Sequence, residues 1–408
     1  MQGITPVLTY VKTGRAKRGH VSNDSLEDRP GAVREGSLKP VIDAIPRELY
    51  ENPTWKGMLY FFRDLIIYVG LIVLLVFVTN PLLVLPIEIV LVLAVTGLFV
   101  VAHDSAHGAL FNSKRKNIVI GKLAMLPSWH VFEAWVLGHN RIHHAFTVRQ
   151  GYDFVWHPVT AQEYEAKSRR SKLMHRIEWS WMGTGLYYLK EVWWHKMIAF
   201  KPPARWAKAI RRDRFLVGAF VLLMAVGFAS LGYARTHSVW GALWLVARVE
   251  IIPFLGFSVM IGSVVHVHHV QTDIRWWKRG EWTKFRGQME GTTVLRVPKG
   301  LNFFFHWIMI HTPHHVDMRI PMYNLEKAAK AIEKAFPDVV HDEPWRFGDF
   351  RRATKACKLY DFEEGHWMTY EAARDSLARV PAVSYTHLDV YKRQLLDRLR
   401  ARRGTHGP

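Results

Sequence analysis

Cysteine is all but missing from this chain: Cys357 is the single one in 408 residues. That excludes a disulfide framework and any iron–sulfur cluster ligated by the cysteines of one chain. Acidic residues are also scarce, 35 against 55 Lys and Arg, which leaves a formal net charge of +20. Such a balance suits nucleic acid or an anionic lipid surface, where each basic residue gains about 1 kcal/mol. The basic residues stand between hydrophobic runs rather than on one motif, so the reading is lipid and no nucleic acid. An apolar leader with a small-residue cleavage site is absent too. Residues 1–39 are polar and basic and read as a flexible cytoplasmic tail. There is no internal repeat and no low-complexity tract.

Long hydrophobic runs, by contrast, are present. Residues 65–102 are apolar almost throughout, broken at Thr79-Asn80-Pro81 and by Pro86, Glu88 and Thr96. Two helices of about 20 residues, each able to cross a ~30 Å hydrocarbon core, fit this run with a tight turn at Asn80-Pro81. Residues 215–233 form a third span. Residues 240–265 form a fourth, interrupted by Arg248, Glu250 and Pro253. An ionisable residue within a span is a functional candidate by default; a place near the outer interface is the alternative for Arg248 and Glu250.

The stretch 103–214 is polar and rich in tryptophan, with Lys114-Arg115-Lys116, Arg169-Arg170 and Arg211-Arg212, while the Asn80 turn carries no charge. The excess of Lys and Arg assigns this loop and the N-terminus to the cytoplasm. Within it, 179–189 and 192–200 read as helices lying in the interface. The expected fold is an all-α integral membrane protein. About four transmembrane helices carry a cytoplasmic helical cap, in a cytoplasmic (inner) membrane. Residues 1–57 form the tail and linker, 58–336 the membrane domain, and 337–380 a charged cytoplasmic segment. An amphipathic helix at 323–336 ends at Pro337. Residues 381–408 read as non-native or disordered. VSYTHLDVYKRQ at 383–394 has no relation to what precedes it and resembles a translated sequencing artefact.

The chain's 22 histidines are not scattered evenly. His103-Asp104-Ser105-Ala106-His107 is followed by His139-Asn140-Arg141-Ile142-His143-His144 and by His311-Thr312-Pro313-His314-His315. On a helix His139 and His143 lie one turn apart, with His144 beside them. One such pair is weak evidence; three boxes at span ends or in polar segments are strong. Neutral imidazole suits iron, zinc, copper and nickel, and spacing does not choose among them. Eight box histidines are too many for one tetrahedral ion, so two ions are expected. A fourth cluster, His266, His268 and His269, stands just past the fourth span, as His103 stands past the second. Counting by helical turn, His266 and His269 share a face and His268 points elsewhere. His269 is expected to bind metal, with His268 the weaker candidate; a hydrogen bond at the interface is the alternative. A metal transporter would need ligands at mid-membrane, which this placement opposes.

The order HDSAH, HNRIHH, HTPHH resembles the membrane fatty acid desaturase family over most of residues 58–336. It is most similar there to the acyl-lipid delta-12 (omega-6) desaturases of bacteria and plastids. The shared features are the HxPHH form of the last box, Arg319-Ile320-Pro321, Tyr323-Asn324-Leu325, and His268-His269 ahead of Asp273. The middle box has three residues between its first two histidines, where many members have two. The resemblance implies a di-iron centre: two Fe ions held by histidines of the boxes and the fourth cluster, with O2 as co-substrate. The ligand candidates are His103, His107, His139, His143, His144, His268, His269, His311, His314 and His315. It implies a membrane acyl lipid as substrate and two electrons from outside. No haem-binding domain is evident, so the donor is expected to be a separate ferredoxin or b-type cytochrome. Asp104, Asp153 and Asp317 are candidates for orienting ligand imidazoles. A hydroxylase, or a carotenoid ketolase or hydroxylase, on the same scaffold is the alternative activity.

Overall fold

The computed structural model describes residues 36–379; the tail up to residue 35 and the segment 383–394 lie outside the described residues. The run 65–102 forms a helical hairpin of α1 (Thr54–Phe77) and α2 (Pro81–His107). Pro81 opens α2 with φ already set and no N–H to leave unpaired. The Asn80 side chain caps the helix by accepting from Leu82 N at 3.0 Å. A 12-residue helix, α3 (Lys114–Met125), follows, and then a continuous helical run, α4, over 132–146. The two expected interfacial helices are one, α5, over 184–198. The third span is α6 (Ala204–Thr236) and the fourth is α7 (Val239–His269).

Among the described residues four helices, α1, α2, α6 and α7, are long and apolar enough to cross a membrane. What they leave uncovered supports that reading over a soluble hairpin. Ile66 is 69 % exposed, Leu82 82 %, Phe215 78 % and Leu223 73 %. A continuous apolar surface of this kind is stable against lipid and not against water. The chain is an all-α membrane protein.

Length places the site. At 1.5 Å per residue α2 runs about 40 Å and α7 about 46 Å, beyond the ~30 Å core. Both run in the same direction as the returning members of their hairpins, so their C-terminal turns emerge at one end. Those turns carry His103 and His107 on α2, and His266, His268 and His269 on α7. At the opposite end Arg248 is buried, and its guanidinium donates to Leu75 O at 2.6 Å and to Val78 O. One of these carbonyls lies in the last turn of α1 and the other on the residue that follows it, where helix partners run out. Arg248 is thus a cap at the far end of the spans, and it lies away from every histidine box.

The cap is completed by β1 (Thr293–Arg296), α8 (His311–Val316), α9 (Leu325–Ala335) and β2 (His341–Pro344). α9 buries Leu325, Ala328, Ala329 and Ile332, the face its spacing predicts. β1 pairs in parallel with β2 from Thr293↔His341 to Arg296↔Pro344. Tyr360 accepts from Trp276 N at 2.8 Å. The segment after residue 336 is therefore tied to the rest by backbone pairing across the expected boundary.

Candidate metal centre

α2 ends at Gly108, whose φ of +75° closes the helix in the left-handed conformation glycine tolerates. The last turn before it aims His103 and His107 into the cap. The middle box lies on α4, where Val136–His143 winds as a π-helix between two α-helical turns. The last box is the short helix α8, with Pro313 in its first turn, where a missing N–H costs nothing.

Nine histidines meet in two groups. His103, His107, His139, His144 and His314 form one; His143, His269, His311 and His315 form the other, with potential ligand atoms in each within 4.8 Å of one another. The Nε2–Nε2 separations are 2.8 Å for His103–His139, 3.2 Å for His139–His144 and 3.0 Å for His144–His314. In the second group His311 and His315 stand 3.0 Å apart. Imidazoles at right angles around one ion at ~2.1 Å would have their nitrogens ~3.0 Å apart. The groups adjoin, with the His144 and His315 rings stacked at 4.3 Å.

The chemistry of the donors fits metal. Burial, then the neighbouring imidazoles, push His139, His144, His311, His314 and His315 well below the usual histidine range. These rings are neutral at pH 7 and offer a lone pair. Both ring nitrogens of His107 and the Nε2 of His269 are covered and have no hydrogen-bond partner among the described residues. A buried nitrogen left this way costs free energy unless something binds it.

The carboxylates divide. Asp153 Oδ1 lies 2.8 Å from His143 Nδ1, and both residues are buried. Burial alone would raise the Asp153 pKa; the His143 ring outweighs it and holds the carboxyl well below the usual range. Asp104 instead accepts from Met322 N at 2.6 Å, and its other oxygen is 3.6 Å from His103 Nδ1. Asp317 pairs with Arg319. His268, expected as a weaker ligand, lies in neither group; its ring stacks on His311 at 3.8 Å. Two further partners were not expected. Gly291 O accepts from His269 Nδ1 at 2.9 Å, and Gln288 Oε1 from His315 Nδ1 at 2.7 Å. Both lie in the connection 270–293, where no motif marks them.

The model of one protein family, described as fatty acid desaturase, matches residues 79–346. The chain belongs to the fatty acid desaturase family. Three relatives give the scale of the likeness. The chloroplastic omega-6 fatty acid desaturase of Glycine max is 27 % identical over 334 residues, covering 80 % of this chain and 74 % of the relative. The sn-1 oleoyl-lipid 12-desaturase of Anabaena variabilis is 28 % identical over 336 residues, covering 81 % and 91 %. The sn-1 acyl-lipid omega-3 desaturase (ferredoxin) of Nostoc sp. (strain 36) is 29 % identical over 316 residues, covering 76 % and 84 %. This desaturase is an oxidoreductase, and its histidines stand where oxidative chemistry on a lipid chain requires them, at the end of the spans.

The π-helix in α4 explains how the longer middle box still works. Residues five apart on an α-helix point about 140° away from each other. The wider i→i+5 winding brings them to one side, so His139 and His144 share the first group while His143 turns to the second. Deleting the exposed Arg141 should let this stretch rewind as α-helix with the same histidines converging. The expected result is a protein that keeps most of its metal, whereas an alanine inserted after Arg141 empties the first group. Metal per protein in the two purified variants decides it; an empty deletion variant beside a loaded Arg141→Ala control would refute the compensation.

Proposed function

We propose that this desaturase introduces a cis double bond of the delta-12/omega-6 type into a membrane acyl lipid, using O2 and two iron ions. One ion is held by His103, His107, His139, His144 and His314, the other by His143, His269, His311 and His315. The gathering of nine imidazoles into two adjoining groups at one end of the spans carries this reading. The names of the Glycine max and Anabaena variabilis relatives, an omega-6 and a 12-desaturase, support the double-bond position. Iron bound there would activate O2, the oxidant of the reaction, so that the two hydrogens lost from adjacent methylenes, together with two external electrons and two protons, would reduce O2 to two waters.

The chain's own residues bind, orient and exclude water. Apart from His107, each of the nine residues is at most 7 % exposed, which keeps solvent from the reacting carbons. Asp153 and the Gly291 carbonyl hold the Nδ1–H of His143 and His269, so each Nε2 lone pair faces inward. His268 supports the His311 ring by stacking and is not a ligand in this reading.

In this reading the electrons come from a separate protein; Cys357, single and buried, cannot ligate an iron–sulfur cluster. A ferredoxin is the donor proposed, in keeping with the name of the Nostoc relative. The site faces the cytoplasm, by the placement of Lys and Arg, and a basic face there steers a small acidic donor.

Expression in a host that lacks polyunsaturated lipids tests the activity. Mass spectrometry should find C18 acyl chains with a second double bond at delta-12. A hydroxylated chain or an oxidised carotenoid as sole product would overturn the reading in favour of another oxidation on this scaffold.

A further inference from the structure

The two histidine groups are not held alike. In the second, three of four rings have their Nδ1 on a protein acceptor: His143 on Asp153, His269 on Gly291 O and His315 on Gln288. In the first, the Nδ1 atoms of His103, His107, His139, His144 and His314 have no hydrogen-bond partner among the described residues. A ring held at Nδ1 presents its Nε2 lone pair at a set angle before an ion arrives, which raises affinity.

We infer that Gln288 is a positioning residue that locks the middle and last histidine boxes together and makes the four-histidine group the tighter iron site. This rests on the proposed function above. Asp153 reaches one box, through the His143 ring, and Gly291 reaches only His269, outside the boxes. Gln288 reaches two. Its Oε1 accepts from His315 Nδ1 at 2.7 Å, and its Nε2 donates to His144 O at 2.9 Å. Thr147 Oγ1, which donates to His143 O at 2.7 Å, also stands 3.2 Å from Gln288 Oε1. The amide has one orientation that works: flipped, its N–H groups would face the Nδ1–H of His315 and its oxygen the carbonyl of His144.

The backbone is fixed as well. Gln288 lies in a π-turn, Arg286–Glu290, a winding often found at functional sites. Its carbonyl accepts from Thr292 Oγ1 at 2.9 Å, and that hydroxyl is 3.0 Å from Thr312 Oγ1 inside the last box. At 2 % exposure no water replaces these contacts. The glutamine thus joins α4 to α8 at the point where the two groups adjoin.

Two variants separate this role from simple support of the fold. Gln288→Leu removes both amide contacts. Gln288→Glu keeps an oxygen for His315 and loses the donor to His144. The readout is iron release from purified, iron-loaded protein to an excess of chelator, with Mössbauer spectra and the melting temperature recorded alongside. Wild type is expected to release one ion quickly and one slowly. In Gln288→Leu the slow ion should leave ~10–100-fold faster, the range for loss of a partner behind a ligand; Gln288→Glu should fall between, with its own altered iron signal. A role in folding alone would lower the melting temperature and leave the slow phase in place, and that result overturns the inference. Wild type that takes up no iron overturns the proposed function along with it. Wild type that holds two ions, with Gln288→Leu just as slow, overturns this inference alone.

Discussion

Purified desaturase carrying alanine at His143 is expected to insert into the membrane, hold about one iron instead of two, and show no measurable desaturation. The same loss is expected for His103, His107, His139, His144, His311, His314 and His315. Partners behind a metal ligand are typically worth 10–100-fold in affinity or activity, and a ligand is worth more. Among the described residues no other histidine belongs to either group, so none stands ready to replace His143. His130 contacts Ser128 O and Tyr188 Oη, and His306 contacts Asp64 at 2.6 Å. His266 packs its ring against Trp156. The measurement is iron by elemental analysis, beside diene formation in membranes. Near-normal turnover by any one of these variants would refute a single shared centre. The iron count adds a sharper check, since His139→Ala and His143→Ala should each empty a different group.

His269→Ala should be nearly as damaging, although its residue lies outside the three boxes. Its Nε2 is buried with no partner, its Nδ1 is fixed on Gly291 O, and its ring stands 4.7 Å from that of His143 and 4.9 Å from that of His315. Loss of about one iron and of activity is expected. His268→Ala is the internal control. Its ring stacks on His311 and lies outside both groups, so that variant should keep both ions with a modest fall in turnover. Full iron and unchanged turnover in His269→Ala would remove it from the centre. Loss of an ion from His268→Ala with none from His269→Ala would exchange the two roles.

Much of this molecule is legible in one dimension because the bilayer enforces a simple rule. Backbone groups in hydrocarbon must pair within their own helix, so runs of about 20 apolar residues can be read off directly as spans. The turn at Asn80-Pro81, the span α6 and the buried face of α9 follow from local pattern alone. So does the placement of the first box and of the fourth cluster, which stand where the second and fourth spans end. What local pattern misjudges is winding. An α-helical count puts His139 and His143 on one face, and the π-turn puts His139 with His144.

Four matters were decided by tertiary structure. Adjacent residues on a helix point about 100° apart, so His143 and His144 part company, as do His314 and His315; packing alone chooses which box each one meets. His268 and His269 are both buried, and only the angle at which α7 meets α8 makes one a stacking partner and the other a ligand candidate. Arg248 looks like a charge stranded in a span until α1 ends beside it with unpaired carbonyls. Gln288 has no pattern around it. Its identity matters because a donor and an acceptor are needed 2.9 and 2.7 Å from two boxes that are 144 and 27 residues distant in the chain. Sequence determines which residues can ligate and at which end of the spans they emerge, since both depend on side-chain chemistry and helix length. Which of them share an ion depends on how helices distant in the chain cross, and that is settled only when they pack.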